Sequence, residues 1–296
     1  MPLSFNDALE KIGIDPRIVI ALRHRPPEAG LRKVLPWLVR ERPDIYNAYQ
    51  QTQGEKVEKA MEKLVGNGYI ASFIGQEPGT AHFAGLYRIG AAKPLTKKQY
   101  WEVPAYIEMK KYGIEGFKES DARNQILWFD LQLDDGISDW ISRLVVSWPP
   151  PERSWWRRAH RNELKILELK QTDAVADAVP AWNEVCLSWQ ELRVLPTNWK
   201  VVFSQWRGIY YIYDRRSNKG YVGSAYGDEN LYGRWQCYAT TGHGGNKYLR
   251  RLDPEGFQFS ILQRVSPDMS SEEVIAIESS WKRRLHTQYP SGLNDN

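Results

Sequence analysis

Two short runs near the C-terminus constrain the fold more than any other feature of the chain. The strand-like RGIYYIYD, from Arg207 to Asp214, is rich in β-branched and aromatic residues. It reaches Tyr221-Val222-Gly223 across the turn-like RRSNKG, Arg215 to Gly220. Residues of that kind flanking a polar Asn- and Gly-containing turn predict a β-hairpin. Two helical segments follow. In LYGRWQCYA (Leu231 to Ala239), Arg234 and Tyr238 lie four apart and share one helix face. In SSEEVIAIESSWKRRL (Ser270 to Leu285), Ser270 and Glu273 stand at capping-box spacing. Its apolar stripe is Val274, Ile277, Trp281 and Leu285, with Glu278 beside it, and Gly292-Leu293-Asn294 comes near the end.

Taken singly, each of these residues has an ordinary reading. Tyr210 and Tyr221 are strand residues with one face buried, Arg234 and Tyr238 a surface pair, Glu278 a partner for Lys282 one turn on. Taken together, the ordered set resembles the GIY-YIG nuclease superfamily, found in homing endonucleases, excision-repair nucleases and some restriction enzymes. The resemblance covers about residues 206–296, with YVG standing where YIG is usual, an exchange that keeps a β-branched residue. It implies an endonuclease that hydrolyses phosphodiester bonds with a divalent cation, Mg²⁺ or Mn²⁺. By it, Tyr210 and Tyr221 match the two active-site tyrosines, Arg234 the arginine, Glu278 the metal-binding glutamate and Asn294 the supporting asparagine. Tyr238 falls where relatives carry Tyr or His, and His243 where some homing-type members place a functional His.

The residue types suit that chemistry. Mg²⁺ keeps several of its waters and needs few protein ligands, so the single acid Glu278 suffices to hold one ion. Arg234 offers a permanently charged planar fork to a phosphate. Tyrosine is a poor base at its ordinary pKa of about 10. A neighbouring guanidinium and cation would favour the phenolate, letting Tyr210 accept a proton from the attacking water. His243 is the competing base, and the sequence leaves the choice open. One active site per chain leaves double-strand cutting to a homodimer or to sequential nicks.

The remaining two-thirds reads differently. Residues 1–65 have helical spacing, in Ala8, Leu9 and Ile12, then in Val34, Leu35 and Leu38. Strand-like runs follow at residues 69–75, 82–90, 126–133 and 142–148. They predict a small β-barrel-like domain within residues 66–200, with residues 172–205 as a linker to the C-terminal domain at 206–296. The fold class expected is α+β: a small antiparallel sheet flanked by helices at the C-terminus, preceded by the helical segment and the barrel. Strands such as HFAGLYRIG and RLVVSWP, with SWWRR after them, resemble those of PUA/EVE-like barrels. That resemblance implies a module that reads RNA or modified DNA bases. Trp148, Trp155, Trp156 and Tyr87 would form an aromatic wall for an extruded base, with Arg153 and Arg157 on the backbone. Lys247 and Arg250 are further candidates for phosphate contact.

Composition adds limits. Among 296 residues the formal net charge is +4, which is compatible with a polyanionic partner such as double-stranded DNA without demanding one. Cys186 and Cys237 lie far apart without His or Cys neighbours, so neither a zinc site nor a disulfide framework is indicated. The N-terminus lacks an apolar targeting core and no run approaches membrane-spanning length, so the expected location is the cytoplasm. Restriction of foreign DNA is the expected role, with repair of DNA and binding without cleavage as the alternatives.

Overall fold

The computed structural model describes residues 3–151, 153–172 and 178–295. The chain is an α+β protein of two compact units, Met1–Asp177 and Ala178–Asn296. No described helix is long and apolar enough to cross a membrane.

The first unit holds helices α1 (Phe5–Lys11), α2 (Ala29–Glu41), α3 (Pro43–Gln51), α4 (Glu55–Glu62), α5 (Lys97–Glu102) and α6 (Pro104–Lys110). Its strands are β1 (Val19–His24), β2 (Tyr69–Ile74), β3 (Thr80–Thr96), β4 (Gln125–Leu133), β5 (Leu144–Ser147), β6 (Trp156–Arg158) and β7 (Ile166–Leu169). They form one sheet in the order β6-β1-β2-β3-β5-β7, with β4 paired to the C-terminal half of β3. Only β1 and β2 run parallel among these pairs. The ladder slips between Ser72 and Phe73 and again between Ile89 and Ala92. Irregularities of this kind bend and twist a strand, which lets the long β3 serve two partners on one edge and curls the sheet.

Residues 1–65, expected from the sequence to be helical, are not helical throughout. Val19–His24 is a strand, buried at all six positions, beside β2, which is equally buried. A continuous apolar run fits a strand covered on both faces, and periodicity cannot tell it from a buried helical turn.

The second unit holds β8 (Cys186–Ser188), β9 (Gly208–Asp214), β10 (Lys219–Ala225) and β11 (Phe257–Arg264), all antiparallel in the order β10-β9-β11-β8. Its helices are α7 (Trp189–Leu192), α8 (Thr197–Gln205), α9 (Asn230–Thr241) and α10 (Ser271–Arg284). The expected linker at 172–205 is therefore largely part of this unit: β8 extends the sheet edge, and Trp199 and Phe203 of α8 are buried. Elements of three to nine residues broken by Pro196 carry too few turns to show a period.

Alternation along the strands sorts the aromatic residues between two helical layers. Ile209 and Val222 face α10, where they meet Val274, Ile277 and Trp281. Tyr210 faces the other way, toward Trp235 and Tyr238 of α9. Helix α10 begins with the capping box expected from Ser270 and Glu273. Helix α9 ends at Gly242, whose φ of 77° suits glycine and whose N–H returns to the Tyr238 carbonyl. The outer edge of β10 is closed by the chain end. Asn294 accepts from the Val222 N–H at 2.9 Å and donates to its carbonyl at 2.8 Å, while the Leu293 N–H bonds the Gly220 carbonyl.

Candidate active site

A cleft of ≈ 760 Å³ opens at the end of the edge strand β10. Tyr210, Tyr221 and Arg234 line it from the α9 side of the sheet, and Ser224 and Glu278 from the α10 side. The division follows from the pleat: Tyr221 and Gly223 share one face of β10, Val222 and Ser224 the other. Tyr226, Asp228 and Glu229, from the loop after β10, complete the mouth.

On the α9 side, two phenols and a guanidinium form one hydrogen-bonded group. The Arg234 Nε donates to the Tyr210 hydroxyl at 3.0 Å, and its Nη2 to the Tyr238 hydroxyl at 3.4 Å. The two hydroxyls lie 3.0 Å apart in a further hydrogen bond. Arg234 and Tyr238 meet because four residues separate them on α9; the guanidinium carbon stands 5.3 Å over the Tyr238 ring. The Tyr221 ring packs 6.4 Å from that of Tyr210 and 6.5 Å from that of Tyr238. Tyr210 and Tyr238 are both fully buried, and Tyr238 lies behind the cleft wall rather than in it. Its hydroxyl meets the cleft residues through hydrogen bonds with Tyr210 and Arg234.

Burial sets the protonation of this group. Desolvation raises the pKa of Tyr210 above its ordinary value, outweighing the opposing pull of Arg234, and raises that of Tyr238 still more clearly. The phenolate was expected from guanidinium and cation together; with the guanidinium alone, burial prevails and Tyr210 is a neutral phenol. For Arg234, desolvation works against the charge, but the surrounding phenol oxygens more than offset it, and its pKa is raised.

On the α10 side, Glu278 is anchored at both oxygens. The Ser224 hydroxyl donates to Oε2, and the Lys282 ammonium stands 2.8 Å from Oε1. Both Glu278 and Lys282 side chains are about 15% exposed, so the pair is partly withdrawn from water, and Glu278 lines the cleft. The pairing with Lys282 at the next turn and the place in the cleft coexist; the sequence had offered them as rivals.

A hard divalent cation fits these donors. Glu278 and Ser224 present oxygen ligands, and an ion such as Mg²⁺ takes one or two carboxylates while keeping its waters. Among the described residues no three His, Cys, Asp or Glu side chains gather into a cage. The set therefore suits a lightly held, largely hydrated ion, with Lys282 moved off Oε1.

Several expected site residues lie elsewhere. The His243 Nδ1 accepts from the Gly245 N–H at 3.0 Å in the loop after α9, and the residue does not line the cleft. Asn294 is buried as the clip on Val222 and does not line the cleft; its part is to hold the strand that carries Tyr221, Gly223 and Ser224. Lys247, near Asp295 at 3.7 Å, and Arg250 are exposed but outside the cleft wall.

The expected aromatic wall of the first unit is not assembled. Trp148 and Tyr87 are buried core residues, and Trp156 is half-buried in β6, paired with Leu22. The Arg157 guanidinium donates to Asn162 Oδ1 at 2.8 Å and to the Pro149 carbonyl at 2.6 Å, bracing its own loop. Arg153 and Trp155 are exposed, and both line a separate cavity of that unit.

Ser224 was missed, and Lys282 was read only as a surface partner of Glu278. The signal for Ser224 was present: one residue past YVG, a strand places its side chain on the face opposite Gly223.

No protein-family model matches the chain, and no curated protein is similar to it. Among solved structures, the catalytic domain of the homing endonuclease I-TevI is similar, with 26% identity over 30% of this chain and 98% of that one, at a TM-score of 0.26. A mutant of the I-TevI catalytic domain, described as an intron endonuclease, is similar at 25% identity over 31% of this chain and 94% of that one, with a TM-score of 0.26.

Proposed function

We propose that the C-terminal unit is a metal-dependent endonuclease of the GIY-YIG type acting on DNA, and that the N-terminal unit chooses its target in a restriction or defence role. One observation carries the reading. The Arg234 fork, fixed on two buried phenols, faces the same cleft as the Glu278 carboxylate.

Each residue then has a task. Arg234 binds the scissile phosphate and stabilises the charge that develops on it, with the Tyr210 and Tyr238 hydroxyls fixing its orientation beforehand. Tyr210, once it has released its own proton to solvent, takes the proton of the attacking water as a phenolate, and the leaving oxygen is protonated from solvent. Tyr210 is neutral when the cleft is empty, and its oxygen already accepts an N–H from Arg234, so the phenolate has a partner as soon as positive charge arrives nearby. Tyr221 positions the water or a phosphate oxygen. Glu278 and Ser224 would hold Mg²⁺ or Mn²⁺, which would supply further positive charge against the phosphate. One such cleft per chain nicks strands in sequence unless two chains act together.

The test is a cleavage screen of the full chain on plasmid, base-modified phage DNA, branched DNA and RNA, with Mg²⁺ and with chelator. Magnesium-dependent scission of modified or foreign DNA supports the reading. Cutting confined to branched DNA would favour a repair nuclease, and scission of none would overturn the reading.

A further inference from the structure

The first unit carries a cavity of ≈ 640 Å³ that none of the chemistry above uses. From its lining we infer that it is a nucleotide-binding pocket, taking one planar base together with its phosphate. Cavities that hold small ligands are commonly of this size, and mostly apolar with a few placed polar groups.

Charge at the mouth selects an anion. Arg25 and Arg153 line the cavity and are exposed, and neither makes an ion pair among the described residues. The carboxylate in the wall, Asp121, stands 3.9 Å from Arg123, which also reaches Glu58 at 3.3 Å. Two uncommitted guanidinium groups therefore remain to meet a phosphate, to which the planar fork is suited.

The walls select a ring. Trp155 is 39% exposed and lines the cavity. Its backbone carbonyl is fixed by the Arg23 N–H at 2.7 Å, so the indole sits on a strand-anchored ledge. The buried Tyr100 and Phe117 rings floor the cavity, with centroids 6.0 Å apart at 76°. Stacking on such faces tolerates any base.

A buried polar group supplies the remaining recognition. His24 lines the cavity at 4% exposure, and its Nε2 makes no hydrogen bond. Its ring packs edge-on to Tyr49, with centroids 5.1 Å apart. Burial holds the imidazole neutral, with a pKa lowered to about 4. A neutral imidazole nitrogen is able to donate or accept toward the edge of a base, with the Gln50 side chain as its neighbour in the free protein.

The nucleotide has two possible sources, free in solution or swung out of a strand. The second rests on the nuclease reading; the pocket itself does not. The experiment uses the full chain carrying Arg234→Ala and Glu278→Ala, so that cleavage and the second-unit cleft do not interfere. Binding of deoxynucleoside 5′-monophosphates is followed by calorimetry, and binding of a labelled duplex with one unpaired base by fluorescence anisotropy. In that background, Arg25→Glu with Arg153→Glu is expected to weaken binding at least tenfold. Trp155→Ala is expected to do likewise, whereas Trp155→Phe stays within about threefold, since either ring presents a stacking face. Binding of the monophosphate identifies a free-nucleotide site; binding of the unpaired-base duplex alone identifies a strand reader. If neither probe binds at millimolar concentration, or if the charge-reversed and Trp155→Ala proteins bind as before, the pocket assignment is wrong. DNA cleavage by the unmodified chain would then still stand as a separate result.

Discussion

Gly223 has no side chain where the Tyr210 hydroxyl needs room: a Cβ built on Gly223 would lie within clash distance of the Tyr210 oxygen and ring. The two residues are directly paired across the β9–β10 ladder. The glycine of the second motif is thus explained by the tyrosine of the first, whose hydroxyl it allows to reach Arg234.

Gly223→Ala should therefore displace the Tyr210 ring and break its bond to Arg234. The expected loss of cleavage rate is about 10²-fold, the scale of losing one preorganised polar contact. Thermal unfolding of the same variant should report overpacking of about 1–3 kcal/mol. A variant that cleaves at the normal rate would separate Gly223 from the chemistry.

The protonation of Tyr210 gives a pH signature. Burial raises its pKa, so the phenolate is scarce at neutral pH and grows as pH rises. Cleavage limited by chemistry should accelerate from about pH 7 to about pH 10, the ordinary tyrosine range. Tyr210→Phe should be slow and should lose the slope. A flat profile for the unmodified protein would remove Tyr210 as the base.

Lys282 competes for the oxygen that a cation would use, standing 2.8 Å from Glu278 Oε1. Lys282→Ala should tighten Mn²⁺ binding by several-fold, measured by electron paramagnetic resonance of the free ion. Glu278→Ala should abolish the same site. Unchanged Mn²⁺ affinity in Lys282→Ala would mean that the ion does not use Oε1.

Asn294 tests the edge clip. Its two hydrogen bonds to Val222 are both buried, and a typical one contributes about 0.5–1.5 kcal/mol. Asn294→Ala should destabilise the chain by about 1–3 kcal/mol in urea denaturation. Asn294→Asp should be at least as harmful, because a carboxylate oxygen would then face the Val222 carbonyl. Loss of activity without any loss of stability would instead place Asn294 in the reaction.

Local patterns were readable and long-range ones were not. The Arg234–Tyr238 pair and the Ser270–Glu273 capping box depend on spacings of four and three within one helix, and both formed as read. The α+β class followed from the change of periodicity along the chain. Contacts such as Ser224 with Glu278, or Asn294 with Val222, join residues 54 and 72 positions apart, and no local period encodes them. At His243 the glycines on either side were legible as a loop, but not its shape: the positive φ angles of Gly242, Gly244 and Gly245 fold a tight turn in which Nδ1 takes the Gly245 N–H. Trp148 and Tyr87 were misplaced because an aromatic residue in a strand run reads the same whether it faces core or solvent.

The most direct measurement is the single-turnover rate of DNA strand scission in Mg²⁺ for the unmodified chain, Arg234→Ala and Glu278→Gln, each confirmed folded by circular dichroism. Rapid cutting is expected of the first, and a fall of about 10²–10³-fold or more of each of the others. Equal rates in all three would contradict the proposed chemistry, because scission would then owe nothing to the guanidinium and carboxylate that share the cleft.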